Sequence, residues 1–292
     1  MSLDAAIQHA LREAGLPDTV RDRRNLSGGC IHTVMQVTLD EGRDIVAKAT
    51  RETQRGLFDE EACSLQWLAK TDTVLTPAPF GVYIHDGHAV LLMEAVQPGR
   101  SDDSAWKRFG EELAALHHVD VGRQYGFEID NHLGGTFQPN TWCDDWVTFN
   151  AEHRLGHQRR LATDAGRLDK SEAKRIDHVI DRLDERLPRH PKPALLHGDL
   201  WAGNALEAEY NRIAIIDPAC SIGDGWADIA MMQLFGGFPP ACLDAYADAV
   251  DDHDGIDDRI AVYQLYHILN HLNLFGRGYA GQAMRLADRL GA

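Results

Sequence analysis

Apolar and polar positions follow two different periods along this chain, and the change of period divides it. Leu3, Ile7, Ala10 and Leu11 share one face of an N-terminal helix. The stretch Val34-Met35-Gln36-Val37-Thr38-Leu39 alternates, and after the turn signal Glu41-Gly42 so does Asp44 to Ala49, which predicts a β-hairpin preceded by a glycine-containing loop. Leu57, Phe58, Ala62, Leu65 and Leu68 then return to helical spacing over 57–69, until Thr76-Pro77-Ala78-Pro79 breaks the pattern. Two further strands are expected at 81–84 and 89–93, joined through His85-Asp86-Gly87-His88. Beyond a linker at Gln97-Pro98-Gly99-Arg100 the period lengthens to that of a helix, with Phe109, Leu113 and Leu116 on one stripe. More helices are expected at 143–164, 170–187, 226–235, 239–251 and 256–275, with short apolar segments at Leu195-Leu196 and Ile213 to Ile216. The expected class is α+β and bilobal: a small β-rich lobe over residues 1–95 and a larger, mainly helical lobe over 96–292.

Composition narrows the partners. The 292 residues carry 29 basic and 45 acidic side chains, a formal charge of −16, so the surface field repels nucleic acid and anionic membranes. A neutral or cationic small molecule suits it better. Five scattered cysteines, Cys30, Cys63, Cys143, Cys220 and Cys242, lack metal-ligand spacing and read as free thiols. The N-terminus lacks a basic start followed by an apolar block, and no apolar run approaches the roughly 20 residues that cross a bilayer. These features predict a cytoplasmic protein; a monomer or weak homodimer is the expected state, though none of these features bears on it.

The chemistry concentrates in residues 197–217. His197-Gly198-Asp199-Leu200-Trp201-Ala202-Gly203-Asn204 has the spacing H-x-D-L-x-x-x-N of a phosphotransfer catalytic loop. Such a loop needs a carboxylate to orient a hydroxyl and take its proton, a role for Asp199, and an amide oxygen to help hold Mg²⁺, a role for Asn204. Thirteen residues beyond Asn204, the apolar run Ile213 to Ile216 delivers Asp217, placed as a metal ligand between nucleotide phosphates. The first lobe supplies what ATP would require. Ser27, Gly28 and Gly29 could cover the phosphates, and Lys48, in Ile45-Val46-Ala47-Lys48, resembles the strand lysine that pairs with them. Glu60 and Glu61 both stand where a helix could present a partner to Lys48, and Glu61, next to Ala62, is preferred. Glu94, Ala95 and Val96 are expected to connect the lobes and offer backbone groups to adenine. Each residue alone would more often be a turn former or a solvated side chain; their order and spacing together point to phosphoryl transfer. His267 and His271, four apart on a helix, lack a third ligand and read as packing residues.

With these residues in place, the chain resembles the fructosamine kinases, or ketosamine-3-kinases, of the aminoglycoside-phosphotransferase-like branch of the protein-kinase-like fold. The resemblance runs from about residue 20 to 275 and is carried by Gly126-Phe127, the segment Asp130 to Asn140, Asp145-Trp146, Phe149, Glu152, Arg154-Leu155 and Gln158, with Trp201, Ile216 to Ala219, Ala227 to Met231 and Leu234 to Phe238. It implies ATP-dependent phosphorylation of the 3-hydroxyl of a ketosamine, free or protein-bound, leading to deglycation. It also implies a structural role for Asp228 beside the catalytic loop, with His197, and a substrate-side role for Asn131, Gln138 and Asn140, although a buried loop is an equal reading of the Asn131 to Asn140 segment; independently of the resemblance, the rings of Trp201 and Trp226 could stack on a sugar or amine, with core packing an equal reading of Trp226. Phe137, Gly225-Trp226 and His32 depart from the usual pattern. The competing readings are a kinase of another amino alcohol, aminoglycoside- or choline-like, and a nucleotide-binding pseudokinase.

Overall fold

The computed structural model describes residues 2–26 and 32–292, and its contacts gather the chain into two compact units. The first comprises Met1–Ser101 together with Leu206–Asp217, so the hairpin that ends in Asp217 packs with the N-terminal segment despite its distance along the chain. The second comprises Asp102–Ala205 and Pro218–Ala292.

In the first unit α1 (Leu3–Glu13) is followed by β1 (Val20–Asn25), β2 (Thr33–Leu39), β3 (Asp44–Arg51), α2 (Arg55–Lys70), β4 (Pro79–His85) and β5 (His88–Glu94). The five strands form one antiparallel sheet in the order β1-β2-β3-β5-β4. Alternation assigns its faces. Ile45, Ala47, Ala49, Val90 and Leu92 join Ile7, Ala10 and Leu11 of α1 in one apolar cluster, while Ala89, Leu91 and Met93 join Phe58, Ala62 and Leu65 of α2 in another. β1 was not expected. Its sequence, Val-Arg-Asp-Arg-Arg-Asn, has no apolar face because it pairs on one side only and borders solvent as an edge strand. The strand Arg212–Ile215 pairs with Ala205–Ala208, and its run is tied to the residues before β4 by the parallel bridge Leu75 to Ala214 and by Thr76 Oγ1 donating to Ile215 O at 3.0 Å.

The second unit contains α3 (Asp103–His118), α4 (Trp146–Phe149), α5 (Gly156–Asp164), α6 (Lys170–Asp181), α7 (Trp226–Leu234), α8 (Pro240–Ala249), α9 (Ile256–Phe275) and α10 (Ala280–Arg289). Between α4 and α5 the chain widens into a π-helical stretch, Asn150–Leu155, which periodicity alone had merged into one helix over 143–164. The helix expected over 170–187 stops at Asp181, and α10 was not anticipated. The central helix α9 buries Arg259. Its guanidinium donates to both oxygens of Asp224 at 2.9 and 2.8 Å, and Tyr263 donates to the same carboxylate at 2.5 Å. Asp224 ends the strand Ser221–Asp224, which pairs antiparallel with Pro193–Leu196. Because Ser221 is opposite Leu196, the chain leaving at His197 and the chain arriving at Cys220 run side by side. No helix among the described residues is long and apolar enough to cross a membrane.

Candidate active site

Lys48 reaches its position through strand alternation. Its neighbours Ala47 and Ala49 point into the α1 cluster, so Lys48 faces α2, where Nζ donates to Glu61 Oε1 at 2.6 Å. The same ammonium is bonded to the carboxylate of Asp217. Burial, with only 8% of Lys48 exposed, would depress its pKa, but the charges of Glu61 and Asp217 outweigh this and hold it above the usual lysine range. Lys48 is therefore a fixed cation. Asp217 adopts a left-handed backbone with φ 56°, uncommon for a residue with a side chain, and is followed by Pro218. Its side chain stays 44% accessible. β5 ends at Glu94, whose N–H donates to Ala78 O at 3.0 Å and whose Oε2 accepts from Ala78 N at 3.2 Å, while Ala95 and Val96 continue outside the strand. Ser27, Gly28, Gly29 and Cys30 lie outside the described residues.

In the second unit Asp199 follows Pro193–Leu196 on a tightly bonded loop. Its N–H donates to His197 Nδ1 at 3.2 Å, and Asn204 Nδ2 donates to Asp199 O at 2.9 Å and toward Oδ2 at 3.5 Å. Asn204 thus spends its amide nitrogen on the loop, and its amide oxygen is of the kind that hard cations take as a ligand. Asp228, buried in the first turn of α7, accepts from the N–H groups of His197 at 2.8 Å and Gly198 at 2.9 Å. His117 approaches the same carboxylate with Nε2 at 3.2 Å and meets Tyr246 Oη with Nδ1 at 2.9 Å. Burial pushes the Tyr246 phenol far above its usual range, so its hydroxyl stays protonated beside the His117 ring. His117 stands beside His118 in the last turn of α3, and nothing in the local sequence marks it as a partner of Asp228.

Gly198 has φ +82°, and a Cβ there would stand 2.1 Å from the carbonyl oxygen of Ala219. Gly198→Ala is expected to lower stability by at least about 1–3 kcal/mol from the backbone alone, because the clashing atom is main chain and cannot turn away. Urea unfolding against the parent checks this, and an unchanged midpoint would refute it.

The remaining sequence candidates separate by exposure. Trp201 is 43% exposed and lies over Gly203, where a side chain would collide with its ring. Trp226 is 5% exposed; its indole N–H donates to Asp252 O at 2.8 Å and its ring packs on Tyr246 and His253, so its faces are taken up by the protein. Asn131, Gln138 and Asn140 are buried, and their amides bond one another: Gln138 Nε2 and Asn140 Nδ2 both donate to Asn131 Oδ1, at 2.8 and 2.9 Å. His267 is also buried, and among the described residues no group of three or more His, Cys, Asp or Glu gathers as a metal cage.

A paired strand lysine and helix glutamate with a carboxylate at a strand end, and a loop bearing H-x-D-L-x-x-x-N, define a kinase-like phosphotransferase. The comparisons specify which. The model of the fructosamine kinase family matches residues 3–292. A probable ketoamine kinase of Synechocystis sp. is 39% identical over 279 residues, covering 96% of this chain and 93% of its own. The crystal structure of a "putative fructosamine-3-kinase" from Thermobifida fusca superposes with a TM-score of 0.89 at 29% identity, covering 99% of each chain. That of an aminoglycoside phosphotransferase bound to ADP and hygromycin B, at 18% identity, TM-score 0.65 and 99% coverage of each chain, shares the fold. The chain belongs to the fructosamine kinase family, and it is an ATP-dependent phosphotransferase.

Proposed function

We propose that the protein transfers the γ-phosphoryl group of ATP to the 3-hydroxyl of a ketosamine such as a fructosamine or ribulosamine. The observation that supports this reading is that a chain of the fructosamine kinase family keeps the full reacting set: Lys48 held by Glu61 and Asp217, and Asp199 tied to Asn204. Asp199 orients the hydroxyl and accepts its proton as the O–P bond forms. Lys48 fixes the phosphates, and Glu94 to Val96 present backbone groups to the adenine. Asp217, with its accessible carboxylate, and Asn204, with its amide oxygen, offer the oxygen ligands that Mg²⁺ prefers. Magnesium, when bound, neutralises charge on the β- and γ-phosphates. Alignment and electrostatics supply the acceleration.

Phosphate at C3 of an Amadori product sits beside the ketone carbon. Enolisation toward C1 makes it an allylic leaving group; its departure leaves an imine at C1, and water then frees the amine. Deglycation would follow from the phosphorylation without a second active site.

The test is ADP release with ribulosyl-lysine and fructosyl-lysine, with the phosphorylated carbon located by NMR. Turnover of at least one, carrying phosphate on O3, is expected. Silence on both with turnover of an aminoglycoside or choline-like alcohol would move the assignment to that acceptor, and silence on every acceptor would make the chain a nucleotide-binding pseudokinase.

A further inference from the structure

The segment that most resembles the family signature is built inside out. In the short hairpin of Asn131–Leu133 and Thr136–Gln138, Asn131 stands opposite Gln138. Both polar side chains turn inward, while the aromatic Phe137 is 44% exposed. Ordinary hairpins place such residues the other way round, because each buried amide must find partners.

Here every amide has found one. Asn131 Oδ1 accepts from Gln138 Nε2 and Asn140 Nδ2, which fixes the orientation of the Asn131 amide and leaves Nδ2 to donate to the carbonyl of Cys220 at 2.9 Å. Gln138 Nε2 also lies 3.5 Å from the carbonyl of Ala219, and Gln138 Oε1 accepts from Tyr266 Oη at 2.5 Å. Arg154 closes the outer side, donating to Pro139 O and Asn140 Oδ1, each at 2.7 Å. It is 5% exposed and has no carboxylate within ion-pair distance among the described residues, so its charge is committed to holding this loop. Toward the rest of the unit, Asn131 and Gln138 deliver their bonds to the two carbonyls that follow Asp217-Pro218. The same backbone is fixed from the opposite side by Ala219 N–H donating to His197 O at 2.9 Å.

We propose that Asn131 and Gln138 are positioning residues for Asp217. By clamping Ala219 and Cys220 they maintain the left-handed turn at Asp217, and with it the direction in which its carboxylate is presented to the metal-nucleotide. The proposal rests on the reading of Asp217 as a metal ligand. It replaces direct contact of these amides with substrate by an action along the backbone, and it explains why a buried polar hairpin, not an apolar one, occupies this place.

Binding of Mn²⁺-ADP, read by electron paramagnetic resonance, requires no acceptor and tests the two layers separately. Asp217→Ala is expected to abolish the bound signal, and Asn131→Leu and Gln138→Leu to weaken binding about 10-fold or more, as loss of groups that orient a metal ligand does. In steady state the same two variants should need more Mg²⁺ and lose kcat, with the KM for the acceptor unchanged. Tyr266→Phe, which keeps the ring and removes one bond to Gln138, should shift in the same direction by less, and it decides the matter if Asn131→Leu does not fold. Parent-like Mn²⁺-ADP binding by the hairpin variants with a raised acceptor KM overturns the proposal and makes the hairpin a substrate contact. Parent-like binding by Asp217→Ala removes the metal assignment itself, and the proposal with it.

Discussion

Asp199→Asn is expected to reduce turnover about 10²- to 10⁴-fold, the range that separates reactions with and without a positioned general base. Asparagine matches aspartate in size and can still accept a bond from Asn204, so the loop should keep its shape. What it cannot do is take a proton from the attacking hydroxyl. Nucleotide binding should survive, because the groups expected to hold the phosphates, Lys48 with Glu61 and Asp217, are untouched. Calorimetry with ADP and a coupled assay for ADP release measure the two properties on one preparation. Turnover within a few fold of the parent would remove Asp199 from its role.

The second large effect is expected at a buried residue, Asp228. The Asp228 carboxylate receives three donors, the N–H groups of His197 and Gly198 and the ring of His117. Only an acceptor-only group satisfies all three; an amide would turn an NH₂ toward one of them. Asp228→Ala removes the acceptor of two loop N–H groups and of His117 Nε2 in a dry site, and is expected to destabilise the second unit by about 3–5 kcal/mol, as removal of one partner from a buried charged network does. Turnover should fall about 10²-fold even in the folded fraction, since small displacements of a catalytic group carry that penalty. Urea unfolding and single-turnover kinetics measure the two.

The pH dependence has a defined sign. Burial would raise the Asp228 pKa, but the bond and charge of His117, the charge of His197 and the Gly198 N–H outweigh it and leave it below the usual aspartate range. Its contribution to stability is therefore complete at neutral pH, above the unfolded value, and is lost as pH falls through the depressed folded value. Unfolding midpoints measured from neutral pH downward should decline less steeply for Asp228→Ala than for the parent. Parallel curves would contradict the assignment.

Much of this was legible without coordinates, for identifiable reasons. The hairpin of β2 and β3, the face of α2 and the run of α9 have periodic apolar positions that answer to local geometry. β1 was invisible because a charged edge strand borrows its partner's bonds and needs no apolar face. The π-helical turn at Asn150–Leu155 was invisible because one extra residue per turn hardly disturbs a 3.6-residue pattern. Trp226 read equally well as ligand platform or core, and only its packing on Tyr246 and His253 separated the two.

By itself the sequence pointed to the reaction class, since H-x-D-L-x-x-x-N and the later Asp217 are the proposed catalytic parts and their spacing within one loop and strand is covalently enforced. The fold decided how those parts are held. Lys48 meets Asp217 across 169 residues, and Asp228 meets His117 across 111. The amides of Asn131 and Gln138 close on carbonyls some eighty to ninety positions away. No periodicity records such pairs, because each side chain is chosen by the burial and bonding needs of a distant neighbour, and those exist only once the chain has packed.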